Sequence, residues 1–530
     1  MTQPLTHRRP ARLSQFRPLA GIAAVVLGVL CVSGIAVTTA ASRTAATKPV
    51  LTIGANATPV SLDPAKDYTT FWQWRSLSNA SIVHVNPNGT FAPGLATSWK
   101  FYDGGRGPNK DFQFTLRHNA RFSDGTPVNA AAVVTWLKYF QGQTGLFQPQ
   151  MGPIRSINAV GNWTVQIHLN TPNTLVPFLL SEVGNWGAVE SPKGVADPNS
   201  LGTQTFGAGP YMIDPSQTVA NSQYTYVPNP YYYDKTAIHY SKIVVKVITD
   251  PSTMLQAIRT GQVQVAAGDV TTAAAASSES SLKVLTVSYG AGGLAFSDRN
   301  GAVSKPIADA RVRQALNYAV DRKTICSALY GKFGVPATSG MPATDATLPK
   351  GYKYPYTYDV AKAKSLLKAA GYANGFSVKM LAYAPLGVDG TEMPQAIAKY
   401  FSAIGVDLQV TTATTAGQYV AARSTKQYPI ESNTLGLRPL MQDYTSVYFP
   451  KGTLNPFGDD DKTLDALYVK ALHANDPTPV MDSMVQRITS QAYTLNVCTK
   501  PRIYYVANTV GGASMNIIAN AVMASELYPK

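Results

Sequence analysis

The sequence predicts an α/β protein built from two or three domains. Three observations lead there. The chain has 530 residues, whereas a single hydrophobic core stops growing near roughly 250–300 residues. Apolar residues make up 45% and charged residues 14%, the balance of a folded chain with a lightly charged surface rather than a disordered one. Its segments switch between the period of a strand and that of an amphipathic helix, and the two alternate through the second half.

The elements follow in order. HRRPARLSQFR lacks acidic residues and precedes an apolar run, LAGIAAVVLGVLCVSGIAV, and then small residues, TTAASRTAA. This reads as a signal peptide and linker over residues 1–47, with cleavage expected near Ala40 to Ala46. The apolar run is also long enough to span a bilayer, so an uncleaved anchor stays open. Leu30 stands before Cys31, where a lipidated cysteine normally has a small residue. LTIGAN reads as a strand, left through a turn at Asp63-Pro64. FYDGGRGPNKD (101–111) is a turn-rich loop, and FQFTLRHNARF after it alternates as a strand. NAAAVVTWLKYFQ is a helix, and WTVQIHLN (163–170) and IHYSKIVVKVIT (238–249) are strands. DPSTMLQAIRTGQ (250–262) is a helix stopped by Gly261, and TTAAAASSES a helix or loop.

In DARVRQALNYAVDRKTICSALYG (309–331), Val312, Ala315, Leu316 and Ala319 fall on one helical face. Arg311, Arg313, Arg322 and Lys323 lie mostly off that face and read as a solvated rim. Asp359 caps and Gly371 stops a helix over YDVAKAKSLLKAAG. SVKMLAY, MPQAIAKYFSAIG and VDLQVTTA give strand, helix, strand. Helices are expected near 461–473 and 480–495, and RIYYVANTV closes as a strand. GAGPY (207–211) and GAGGLAF (290–296) read as turns.

Several chemistries are disfavoured. The histidines after residue 47 (His84, His118, His168, His239, His473) have no paired spacing, and no paired-cysteine motif exists, so no metal or other cofactor is expected. His118 and His168 read as structural strand residues. No phosphate loop ending in Lys-Ser or Lys-Thr appears. Two S-x-x-K matches, Ser280–Lys283 and Ser365–Lys368, lack the Lys-Thr-Gly partner of the penicillin-binding enzymes. The formal net charge of +15 suits anionic cell-wall polymers or lipid head groups. The basic 309–331 stretch also carries Asp309 and Asp321, and nucleic acid is not an expected partner. Cys326 and Cys498 read as buried small hydrophobes, although an exported pair could also form a disulfide.

Taken in order, VSLDPAKDY, FAPGLATSWK, FTLRHNARFSDGTPVNAAAVV, GAGPYMI, YVPNPYYYDK, LQAIRTGQVQVA, DARVRQALNYAVDR, YDVAKAKSLLKAAGY, QDY and LNPFGDDDKTLDALYVKA resemble the peptide/nickel-binding family (family 5) of extracytoplasmic solute-binding proteins of ABC importers. The resemblance runs from about Leu51 to the C-terminus. It implies a type II periplasmic-binding-protein fold with three domains in two lobes. Domain I would take 48–83, 205–292 and 505–530, domain II 84–204, and domain III 293–504. Domains I and II form lobe one and domain III lobe two, hinged where the chain crosses near 292 and 504.

It also implies a monomer that binds and does not catalyse. The partners would be a small peptide or other small solute, taken in the cleft between the lobes, and an ABC permease in the membrane. By position, Asp443 would hold a peptide's α-amino group. Backbone at Met441, Gln442 and Tyr68, Thr69 and Thr70 would pair with an extended peptide. Trp72 and Trp74 could line the cleft, with core packing as the other reading, and Arg438 could meet a C-terminal carboxylate. Leu440 stands where members often have Trp, and Thr445-Ser446-Val447 replaces their acid and Pro. A sugar, opine or metal chelate is therefore an alternative ligand. A secreted cell-wall peptide hydrolase is the alternative of another class.

Overall fold

The computed structural model describes residues 48–67, 72–144, 147–340, 348–433, 440–516, 519 and 521–530. The signal-like segment, Tyr68, Thr69, Thr70 and Arg438 lie outside the described residues. Helix starts follow their capping residues. The side chain of Asn129 accepts from the Ala132 N–H, that of Asp250 from Thr253 and that of Asp359 from Lys362. Each occupies an otherwise unpaired donor of a first helical turn. These caps open the helices Ala130–Gln141, Pro251–Arg259 and Val360–Ala369, as the sequence predicts.

Among the described residues, the largest sheet has eleven strands. From one edge it runs Val406–Ala413, Phe376–Tyr383, Ile430–Ser432, Leu282–Phe296, Thr494–Ala507, Val265–Gly268, Val50–Ala55, Lys242–Val247, Gln223–Pro228 and Tyr211–Ile213, with Val335–Pro336 added on Thr494–Ala507. Parallel and antiparallel pairs are mixed within it. A separate four-stranded antiparallel sheet orders Ala96–Tyr102, Asp111–Leu116, Thr164–Leu169 and Ile154–Val160.

The apolar residues gather into distinct clusters. One joins the small sheet to the Val50–Ala55 side of the large one, with Trp74, Trp136, Trp186 and Tyr226 buried in it. A second lies around Leu316, Met380, Ile397 and Leu495, and a third around Met441, Tyr444, Met484 and Tyr493. The long antiparallel strands Leu282–Phe296 and Thr494–Ala507 join the first two. Leu285, Tyr504 and Val506 pack on the first cluster, whereas Leu294, Phe296, Leu495 and Val497 belong to the second.

Several readings change. GAGGLAF lies within the long Leu282–Phe296 strand, which carries register shifts between Ser288 and Ala291 and between Gly292 and Gly293. Glycine there serves a bulge and a close approach rather than a turn. The 309–331 stretch is two helices, Ala310–Tyr318 and Arg322–Tyr330, because Asp321 caps a new start by accepting from the Thr324 N–H. Its arginines are not all rim: Arg313 is 2% and Arg322 7% exposed. Arg313 donates to Ile307 O, Ala308 O and Gln491 O, and Arg322 to Asn317 O, Tyr356 O and Asn496 O. A guanidinium has enough donors to satisfy such carbonyls away from water.

The last long helix ends at Ser490, and the strand after it begins at Thr494, earlier than RIYYVANTV suggests. His118 sits in a turn, stacked on Trp163 with ring centroids 4.5 Å apart, and only His168 is in a strand. Cys326 and Cys498 form a disulfide, their Cα atoms 5.5 Å apart, which ties the Arg322–Tyr330 helix to the long strand. They are buried, as expected of small hydrophobes, but the register of helix on strand brings the two thiols together.

Candidate functional site

The Asp63-Pro64 turn is fixed from both sides. Asp63 Oδ1 accepts from the Ala65 N–H at 2.9 Å and Oδ2 from the Tyr139 hydroxyl at 2.7 Å. Asn185 Nδ2 donates to Pro64 O at 3.2 Å and to Asp67 O at 3.0 Å. Asp67 then pairs with Arg75 at 3.4 Å, both side chains buried. Burial pushes the Arg75 guanidinium below its ordinary value, and Asp67 pulls the other way. The ion pair ties the end of the turn to the helix Trp72–Ser78. Trp74 is not a cleft residue: it is 1% exposed and meets Tyr224 edge-on, with ring centroids 4.6 Å apart, inside the first cluster. Helical spacing turns it inward. Trp72 opens the same helix.

Asp443 ends a helical turn, Leu440–Asp443, that continues as a wider turn through Tyr448. Met441, Gln442 and Asp443 are all buried, Asp443 completely. Met441 and Gln442 are helical, so their backbone is not the extended edge that pairing with a peptide strand needs. Met441 instead packs in the third cluster, and Gln442 O accepts from the Thr445 hydroxyl at 2.9 Å.

The turn is braced by its neighbours. Tyr444 stacks on Tyr468 at 3.9 Å and donates to Asp465 Oδ1 at 2.6 Å. Tyr448 lies 5.7 Å from Tyr493, and the Arg299 guanidinium sits over the Tyr493 ring at 5.0 Å. Asp461 starts the helix Lys462–His473, takes a bond from Arg487 at 2.9 Å and another from the Tyr493 hydroxyl. Asp443 is thus fixed through the aromatic residues that follow it.

The structure brings Met441, Gln442 and Asp443 together on one turn and leaves Trp74 in another core. Sequence reasoning missed the braces: Arg75, Tyr139, Asn185 and Tyr468 are spread over nearly 400 residues, and no local pattern links them. It also missed the buried Lys500–Asp389 pair, 3.1 Å apart, beside the bulged strand. Tyr330 donates to Asp389 Oδ1 at 2.5 Å, and a Cβ on Gly292 would stand 2.1 Å from that oxygen.

Ser280 and Ser365 are exposed, as are Lys283 and Lys368. Among the described residues, no group of three or more His, Cys, Asp or Glu is placed to hold a metal, and no helix is long and apolar enough to cross a membrane.

Curated relatives resemble this sequence over part of its length. The periplasmic murein peptide-binding protein of Escherichia coli strain K12 is 28% identical over 353 residues, covering 59% of this chain and 61% of its own. The chain therefore spans about three fifths of that relative's length. A glutathione-binding protein of Escherichia coli O6:K15:H31 is 26% identical over 401 residues, covering 72% and 75%. Among solved structures, an ABC transporter-associated periplasmic binding protein of Helicobacter pylori in complex with the peptide STSA superposes with a TM-score of 0.69. It is 19% identical and covers 91% of this chain and 98% of its own. This likeness establishes the fold, the type II arrangement of periplasmic binding proteins. Residues 90–453 match the profile described as bacterial extracellular solute-binding proteins, family 5. With that span matched, this chain belongs to family 5 of the bacterial extracellular solute-binding proteins.

Proposed function

We propose that this protein binds short peptides by their free α-amino end in a cleft between two lobes and delivers them to an ABC permease, working as an exported monomer without catalysis. The single observation that carries the reading is the burial of the Asp443 carboxyl, 0% exposed, on a braced turn. A carboxylate held away from water forms a charge-assisted hydrogen bond to an ammonium, worth about 1.5–3 kcal/mol. Curated relatives described as murein-peptide and glutathione binders support peptides as the class.

Lobe one would comprise 48–83, 205–292 and 505–530 with 84–204, and lobe two 293–504. The partition of the apolar clusters along the two long strands supports that division. Tyr68, Thr69, Thr70 and Trp72 would offer the ligand's second wall, and Arg438 would meet its carboxylate. Secretion through the N-terminal segment would place the protein on the outer face of the membrane.

The test is calorimetric titration of ligand-stripped protein with a pool of three- to six-residue peptides and with the same pool N-acetylated. Heat from the free pool alone is expected, reduced ten-fold or more in affinity by Asp443→Asn. Equal binding of the acetylated pool would remove the amine clamp. No binding of either pool would set peptides aside in favour of a sugar, opine or chelate.

A further inference from the structure

The first and third apolar clusters approach each other at a second place, away from the long strands. The turn after Ala96–Tyr102 carries Asn109, whose side-chain nitrogen donates to Leu472 O and to Ala474 O, each at 3.0 Å. Those carbonyls end the helix Lys462–His473, where backbone acceptors lack helical partners and the helix dipole is negative. Asn109 is 8% exposed and sits at φ 58°, a left-handed conformation that asparagine tolerates better than most residues. Beside it, Leu175 packs against both the first and the third apolar clusters.

Each partner is rigidly mounted. On the Asn109 side, Asp111 bonds both Arg106 and His168, and Arg106 also donates to Leu169 O at 3.0 Å. Asn173 donates its N–H to Asn109 O at 3.0 Å and accepts from the Leu175 N–H at 2.9 Å. On the other side, the receiving helix is the one whose Asp465 and Tyr468 hold Tyr444, next to Asp443. One helix therefore braces the ligand turn along its side and receives Asn109 at its end.

We infer that Asn109 is the catch that holds the lobes closed, and that it sets ligand affinity without touching ligand. This rests on the two-lobe reading above. A closed form favoured by the catch is the competent form, so losing the catch lowers apparent affinity by the fraction of closed molecules lost. Two bonds to helix-terminal carbonyls, each with a modest net effect, shift the closed-to-open ratio by about five-fold or more.

The test needs no ligand: hydrogen–deuterium exchange of the full chain, read in segments 103–111, 169–176 and 470–476. Asn109→Gly keeps the left-handed backbone and removes the side chain with its donors. Asn109→Asp keeps the shape, cannot donate, and sets a negative charge against the helix end. The parent is expected to be protected in all three segments. Both variants should speed exchange in 169–176 and 470–476 by about five-fold or more, Asp more than Gly, with Val50–Ala55 unchanged as the folding control. Exchange altered only within 103–111, or in none of the segments, would overturn the catch, as would a parent unprotected at 470–476. A failure of peptide binding in calorimetry would leave this result standing, so the two readings fail separately.

Discussion

Glu190 shows how far a single side chain depends on its surroundings. It is 1% exposed and accepts from Asn79 Nδ2 at 2.8 Å and the Phe206 N–H at 2.7 Å. Burial pushes its carboxyl up to about 8; Asp63 and Asp124 add to the rise and the two donors oppose it. An unfolded glutamate titrates near about 4.3, so folding takes up a proton between the two values. A raised folded value means stability that is fully present below the ordinary glutamate range and lost as pH rises toward about 8. Glu190→Gln should flatten that decline in urea unfolding followed across pH. It should also cost about 1 kcal/mol at low pH, because the new amide cannot accept from both donors. An unchanged slope would assign the pH dependence elsewhere. Arg313 teaches the converse: charge alone suggests a solvated rim, yet two nearby carbonyls, Ile307 O and Ala308 O, and the distant Gln491 O hold it inside.

At the scale of elements, the informative piece is the bulged strand Leu282–Phe296. Gly293 has φ 154°, and a Cβ there would lie 2.1 Å from Leu495 O, a backbone atom that cannot swing away. Gly293→Ala should destabilise by about 1–3 kcal/mol in denaturant melts. The loss should fall hardest on pairing with Thr494–Ala507; a variant as stable as the parent would show that the strands separate freely there. The sequence displayed the glycines but not their use, because a bulge is defined by the partner strand, some 200 residues away. The cap at Asp359 and the stops at Gly261 and Gly371 were legible, since each acts on its own helix.

For the whole molecule, the disulfide is the longest covalent constraint, closing a separation of 172 residues between Cys326 and Cys498. In the chain-entropy account it acts by limiting the unfolded ensemble rather than by adding a native contact. Replacing both cysteines with serine should cost about 2–4 kcal/mol of global stability, seen as a lower midpoint in chemical denaturation. Local exchange near the Asn109 contact should stay as in the parent. A midpoint that does not move would mean the unfolded chain is already restrained there.

What the sequence determined by itself was local and ordered: most strands and helices, the cap at Asp359, and the succession of segments that marks family 5. Each depends on residues close together in the chain, or on their order along it. Tertiary structure alone decided that Trp74 is core, that Met441 and Gln442 are helical, that two cysteines meet, and that Asn109 reaches the end of a helix 363 residues away. Those outcomes rest on packing and on pairing of polar groups across long loops, and such contacts leave no periodic trace in the sequence that specifies them.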